Sequence, residues 1–362
     1  MCYSVVNVGN SRRNYILNFW GTAILIMLNL SMVILLWSRV VTLVHEVGHL
    51  VFGLFTGYEF NYIHVGGRIL VKKDGKLVFK ESRRKIPAGS CLMITKRDEE
   101  NFKFILYYLG GGIFTSILTV ACFIVAIFTS EIDFQLFFYI ASGYTFLITL
   151  LNLIPLASND AVRIKAALQS KEARHALYIQ HILIKKLEKG ERYRDFDEQL
   201  FVVSEDVDYS NFFIVSMIIG NAERLYDLGC ADKYLEQYKR LNPTSIPKSY
   251  RIEILIEYLY YHMIHEVDEY KVKLIYSNND VKNTLKNSEW KYARVLAAYE
   301  FIINKNYEQG QKYFDIAKSN AEDMNLKGEK SMELDRISEL EKKLVEKLVE
   351  TLKQEKEVSL NC

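Results

Sequence analysis

The residues most able to carry out chemistry lie together in one short segment, His45-Glu46-Val47-Gly48-His49. Histidines four positions apart lie on one face of an α-helix, so both imidazoles can bind the same metal ion. The glutamate between them lies beside that face, where it can act as a general base towards water. This HExxH spacing is typical of hydrolytic Zn²⁺ sites. The sequence therefore predicts His45 and His49 as metal ligands and Glu46 as the catalytic base.

The segment that carries this motif is apolar on all sides. Residues 40–55 are dominated by valine, leucine and phenylalanine. A helix without a polar face belongs in a bilayer or in a deep protein core. Histidine and glutamate are costly to bury in a membrane, so their presence there indicates a functional site.

Four apolar stretches are long enough to cross a bilayer: 15–37, 41–58, 104–128 and 134–155. Only Ser38-Arg39 separates the first two, so one long helix over both is an open alternative. Lysine and arginine are dense between Arg68 and Lys103 and absent from 129–133. Because positively charged loops stay in the cytoplasm, we expect both chain termini and segment 59–103 on the inner side.

Segment 59–103 itself contains a β-hairpin pattern. Residues 68–73 and 76–79 read as strands on either side of an Asp74-Gly75 turn. A substrate that leaves its helical conformation could pair with an edge of this hairpin. His64, beside two glycines, is expected to be a loop residue and not a metal ligand.

A catalytic zinc site needs a third protein ligand. The five cysteines are scattered without CxxC spacing, so we expect reduced structural thiols. A carboxylate is available instead, because Pro155 ends the last apolar stretch and Asp160 follows at its inner end. A proline followed by an aspartate also occurs at ordinary helix ends. Here the segment follows the HExxH helix by two predicted spans, and this position favours Asp160 as the third ligand. We expect Asp160→Ala to lose zinc and Asn159→Ala to keep it.

Together these features resemble the site-2 protease family of intramembrane zinc metallopeptidases, over about residues 40–165. His45-Glu46-Val47-Gly48-His49 fits the family's HExGH form, and Asn152, Pro155 and Asp160 fall at its N-x-x-P-x-x-x-x-D spacing. The resemblance implies Zn²⁺ bound by His45, His49 and Asp160, with Glu46 as general base. It also implies that Asn152 helps to hold the substrate as an extended strand.

The chain departs from the family pattern in three places. Ala161 follows the aspartate where the family usually has glycine. Gly110-Gly111-Gly112 stands where the family has Gly-Pro, although small residues there let a neighbouring helix approach closely. Segment 59–103 is too short for the PDZ domain that many members carry.

The chain changes character after residue 160, becoming charged, tyrosine-rich and helical in pattern. Degenerate tetratricopeptide-like repeats and an irregular helical domain fit equally well. The repeat reading rests chiefly on these small and aromatic residues: Ala298, Tyr307, Gly310, Phe314 and Ala317. His262 and His265 read as ordinary helix residues. Residues 331–357 form an amphipathic pattern, predicting a helix that either caps the domain or pairs with a protein partner.

The predicted architecture is mainly α. Residues 1–160 form a polytopic transmembrane metallopeptidase domain of about four spans, with the cytoplasmic hairpin segment 59–103. Residues 161–362 form a soluble, cytoplasmic, all-helical domain. A net charge of +2 gives no reason to expect nucleic acid binding.

The predicted function is zinc-dependent hydrolysis of a membrane-associated peptide or single-span protein in a bacterial cell membrane, in peptide maturation or signalling. The alternative is an inactive membrane receptor or scaffold that binds peptides or proteins through its C-terminal helices. The presence of both histidines, the glutamate and the aspartate favours the enzyme.

Overall fold

The computed structural model describes residues 5–73, 75–81, 89–156, 159–204, 206–239, 241, 245–266, 268–289 and 291–360. The fold is mainly helical and contains one antiparallel sheet. The chain divides into two compact units, Met1–Ile164 and Lys165–Cys362.

The first unit is built on three long helices: α1 (Val5–Thr56), α2 (Phe104–Phe128) and α3 (Ile132–Leu153). Within the described residues, three segments are long and apolar enough to cross a membrane: Ser31–Thr56, Phe104–Phe128 and Ile132–Leu153. Large apolar side chains such as Phe55 and Phe128 are more than 80% exposed on them. A bilayer would cover these side chains.

The predicted break between the first two spans is absent. Helix α1 continues through Ser38 and Arg39, and the Ser38 hydroxyl donates to the Leu35 carbonyl within the same helix (2.7 Å). Neither residue removes a backbone donor as proline would, so nothing in the sequence stops the helix there. The one-helix alternative therefore describes this segment. Its 52 residues correspond to about 78 Å at 1.5 Å per residue.

The sheet is larger than the predicted hairpin. Strands β1 (Tyr58–Val65), β2 (Arg68–Lys73), β3 (Lys76–Glu81) and β4 (Gly89–Thr95) lie in the order β3-β2-β1-β4. The β2–β3 hairpin is confirmed, with Lys73 opposite Lys76 across the turn. Strands β1 and β4 were not predicted. The expectation that His64 is a loop residue was wrong, because it lies in β1 and is 1% exposed.

Helix α4 (Asp160–Leu168) follows α3 and leads into the second unit. The described residues of that unit form these further helices: α5 (Lys171–Lys189), α6 (Phe212–Asp227), α7 (Ala231–Lys239), α8 (Lys248–Tyr261), α9 (Glu269–Tyr276), α10 (Asn279–Asn287), α11 (Ala293–Tyr299), α12 (Tyr307–Glu322) and α13 (Lys327–Leu360). Short 3₁₀ turns cover Tyr193–Asp195 and Glu198–Phe201, and π-helical turns cover His262–Glu266 and Glu300–Asn304.

Helix α13 confirms the helix predicted over 331–357. Its Ile337 and Leu340 side chains are buried in the core of the second unit. Arg336 binds Glu223 of α6, and its guanidinium stacks on the Tyr226 ring. The first half of α13 therefore caps the helical domain. Ala298, Phe314 and Ala317 are buried in this core and Gly310 is buried in α12, but Tyr307, the fifth residue of the repeat interpretation, is 64% exposed. Burial of small and aromatic residues fits repeats and an irregular helical domain alike, so the repeat assignment stays a prediction.

Candidate metal centre

Three side chains predicted as ligands converge on one point in the first unit. His45 Nε2 lies 3.0 Å and His49 Nε2 lies 3.1 Å from the same Asp160 oxygen, Oδ2. The two Nε2 atoms are 3.1 Å apart. Among the residues described, this is the group of histidine and carboxylate side chains that could hold a metal ion. The structure thus brings together residues more than a hundred positions apart in the chain.

The spacing of these atoms fits a small tetrahedral cation. Ligand bonds of about 2.0–2.2 Å place neighbouring ligand atoms of a tetrahedron about 3.3–3.6 Å apart. The observed separations of 3.0–3.1 Å are only slightly shorter. Two imidazoles and one carboxylate also leave a fourth position open for water, as a catalytic zinc site does.

The hydrogen bonding of His49 points to the same conclusion. Its Nδ1 lies 2.8 Å from the backbone carbonyl of Tyr107. A carbonyl only accepts, so Nδ1 carries the proton, and the ring in its neutral form presents a lone pair at Nε2. That lone pair faces the Asp160 carboxylate oxygen, which is also an acceptor. A cation between the two atoms satisfies both, and an outer hydrogen bond of this kind orients metal-binding histidines.

Asp160 is the first residue of α4. Its negative charge lies at the positive end of the helix dipole. This helix end favours the ionised carboxylate, which is the form that binds a metal.

Glu46 lies next to this group. It is 6% exposed and interacts electrostatically with His45, His49 and Asp160. Strand β4 begins beside it, since a Cβ added to Gly89 would come within 2.5 Å of Glu46 Oε1. The predicted general base is thus enclosed between its own helix and the start of an edge strand.

Glycines let α1 and α2 approach closely at the motif. A Cβ on Gly48 would lie 2.3 Å from the Gly110 carbonyl oxygen, and one on Gly110 would lie 2.5 Å from the Gly48 oxygen. A Cβ on Gly111 would lie 2.5 Å from the His45 ring. The predicted role of the three-glycine segment, close approach of a neighbouring helix, is therefore confirmed, and the neighbour is the helix that carries the motif.

Asn152 lies outside the ligand group. Its side-chain amide donates to the Ile148 carbonyl (3.1 Å), within α3. Two residues that sequence reasoning missed contribute more directly to the geometry. Tyr107 provides the carbonyl that orients His49, a main-chain role that side-chain patterns do not reveal. Asn159 precedes Asp160 and bonds to the end of α3.

His262 and His265 do not join the centre. His262 Nδ1 lies 2.7 Å from the Glu266 carboxylate, and His265 lies 3.3 Å from the Tyr226 hydroxyl. Both belong to the helical unit, as predicted for ordinary helix residues.

Comparisons with protein-family models, with curated proteins and with solved structures found no match to this chain.

Proposed function

We propose that this protein is a zinc-dependent intramembrane endopeptidase of the site-2 protease type. The observation that carries the proposal is the convergence of His45, His49 and Asp160 on one point, with Glu46 buried beside them. The ligand atoms come from a membrane-compatible helix and from the start of α4, so the site would lie at one end of the apolar core.

Each residue has a distinct part in the proposed hydrolysis. Zinc, when bound, would supply Lewis-acid activation of water and of the substrate carbonyl. Glu46 would accept the proton of the attacking water and return it to the leaving amine. Tyr107 would hold the ring of His49 through its carbonyl, so that Nε2 stays directed at the metal.

The substrate would bind along strand β4. Peptide bonds inside a helix are hidden, so a membrane segment must become extended before cleavage, and an extended segment can add to a sheet edge. Strand β4 is one edge of the sheet, and its first residue, Gly89, packs against Glu46. The hairpin edge considered from the sequence is β3, which lies three strand spacings, or about 14 Å, from β4. The substrates we propose are membrane-associated peptides or single-span proteins of a bacterial cell membrane.

The decisive test separates metal binding from catalysis. Glu46→Gln keeps the shape of the side chain and leaves all three ligands in place. We expect it to bind zinc like the wild type and to cleave peptide about 10²–10⁴-fold more slowly, because the base is lost. Zinc content by mass spectrometry and cleavage of a membrane peptide in detergent or nanodiscs measure the two properties.

Two results would contradict the proposal. Turnover close to wild type in Glu46→Gln would exclude this residue as the base. A wild-type protein that binds zinc but cleaves no single-span substrate would favour the receptor or scaffold, whose helices in residues 161–362 would then bind the partner.

A further inference from the structure

Asn159 connects the end of α3 to the start of α4. Its side-chain Nδ2 donates to two carbonyls of the α3 end, Leu151 and Ile154, both at 2.7 Å. Its Oδ1 accepts from the backbone N–H of Val162 in the first turn of α4 (3.1 Å). One side chain therefore bonds to both elements that bring Asp160 to the histidines.

The carbonyls that Asn159 binds are ones that the helix end leaves without a helical donor. In a continued helix the Leu151 carbonyl would accept from residue 155, but residue 155 is proline and has no N–H. Helix α3 ends at Leu153, and the Ile154 carbonyl just beyond it also accepts from the Leu156 N–H (2.7 Å). The Asn159 amide replaces the bond that Pro155 cannot make. The residue that precedes the ligand is thereby bonded to the end of α3.

We propose that Asn159 is a positioning residue for the metal centre: its two-sided hydrogen bonding holds Asp160 Oδ2 at the point where the histidines meet. This inference rests on the proposed metal site. It replaces the sequence-based expectation that Asn159→Ala keeps zinc. The amide donors do the positioning, and the Oδ1 acceptor contributes the ordinary cap of α4.

The bonds that Asn159 donates to α3 and the bond that it accepts from α4 can be separated by substitution. Asn159→Asp keeps an acceptor for the Val162 N–H but loses both donated bonds to α3. Asn159→Ala loses all three bonds. We expect both variants to bind Zn²⁺ about 10–100-fold more weakly, the usual effect of losing a partner that orients a ligand.

Asn278→Ala is the matched control. Asn278 caps α10 by accepting from the N–H groups of Asp280 and Val281, and α10 carries no member of the ligand group. Losing this cap should lower thermal stability and leave zinc affinity unchanged. A general loss of folding and a specific loss of positioning are thereby distinguished.

The experiment uses the full-length protein in detergent. Zinc affinity is measured by competition with a chelating dye, and Co²⁺ is added separately because its visible absorption reports the ligand geometry. We expect a changed Co²⁺ spectrum in both Asn159 variants and a wild-type spectrum in Asn278→Ala.

Three other outcomes would contradict either the positioning role of Asn159 or the proposed metal site. Wild-type zinc affinity and Co²⁺ spectrum in both Asn159 variants would overturn the inference. Weaker binding in Asn159→Ala alone would show that the cap suffices, and would refute the positioning role of the amide. Absence of metal binding in the wild type would contradict the proposed function itself, and the inference with it.

Discussion

At the scale of single residues, the site is defined by three nitrogen and oxygen atoms that face one another and can each bind a cation. Two histidine nitrogens and a carboxylate oxygen lie within 3.0–3.1 Å, and one of the histidines directs its proton away to a carbonyl. Acceptor atoms repel unless a proton or a cation lies between them. The geometry therefore argues for a cation site more strongly than the motif alone does.

Removing the carboxylate should remove the metal. Asp160→Ala leaves only two protein ligands, so we expect zinc affinity to fall by more than the roughly 10–100-fold caused by loss of an outer-shell partner. Activity should fall with it. Competition with a chelating dye measures the affinity.

Asp133→Ala is the control for this substitution, because it removes the same side-chain type from the first turn of α3, the other end of that helix. It should bind zinc like the wild type. Retention of wild-type zinc affinity in Asp160→Ala would exclude Asp160 as a ligand.

At the scale of helices and strands, close packing of α1 on α2 sets the position of the histidines. The contact is made by Gly48 and Gly110, and Gly111 lies against the ring of His45. Interfaces between membrane helices use small residues in this way because backbones can approach closely. The glycines of α2 therefore help to set the position of an imidazole.

Gly111→Ala tests this coupling. The new Cβ would lie 2.5 Å from the His45 ring, so the ring must move and zinc should bind more weakly. Gly143→Ala is the matched control, because a Cβ at that position in α3 meets no heavy atom within 4 Å. Zinc titration of both variants measures the effect. Equal zinc affinities of Gly111→Ala and Gly143→Ala would show that the His45 ring can move without loss of binding.

The sequence predicted this site better than it predicted the elements around it. His45 and His49 could be inferred because residues four apart share a helix face. Asp160 could be inferred because it follows Pro155, which ends an apolar segment. Strands β1 and β4 were missed because their buried positions do not follow a simple alternation. Strand β1 buries Asn61 and His64, and its pairing with β4 shifts register between Phe60 and Tyr62. The break at Ser38-Arg39 was predicted from length, and length alone cannot stop a helix.

The packing of α13 against α6 can be tested by removing the buried ion pair between them. Arg336 is nearly buried and pairs with Glu223, whereas Lys318 pairs with Glu341 on the surface at 3.6 Å. Burial raises the pKa of Glu223, and Arg336 opposes that shift. Because Arg336→Ala leaves the charge of Glu223 buried without a partner, it should lower the free energy of unfolding by about 3–5 kcal/mol.

Lys318→Ala serves as the exposed comparison and should change the free energy of unfolding by about 0–1 kcal/mol. Thermal or urea unfolding of the full chain followed by circular dichroism measures both. Similar effects from the two substitutions would mean that the buried pair does not anchor α13.

At the scale of the whole molecule, the number of crossings after α1 determines which segments lie on the same side of a membrane. Helices α2 and α3 are both candidate spans, and the three residues 129–131 join them. The sheet precedes α2 and Lys165 follows α3. If both helices cross, the chain returns to its starting side, and we expect the sheet and Lys165 on one side whether α1 crosses once or is preceded by another span.

Cysteine labelling in intact cells tests this topology. We expect Lys72→Cys and Lys165→Cys to react only after the membrane is permeabilised, because the many lysines and arginines of segment 59–103 favour the cytoplasmic side. Glu131→Cys should react from outside. Ser11→Cys then reports on α1: an uninterrupted helix that crosses once places this position outside, whereas two crossings place it inside. Labelling of Lys72→Cys and Glu131→Cys from the same side would remove α2 as a span, and with it the position of His45, His49 and Asp160 at the inner end of the membrane core.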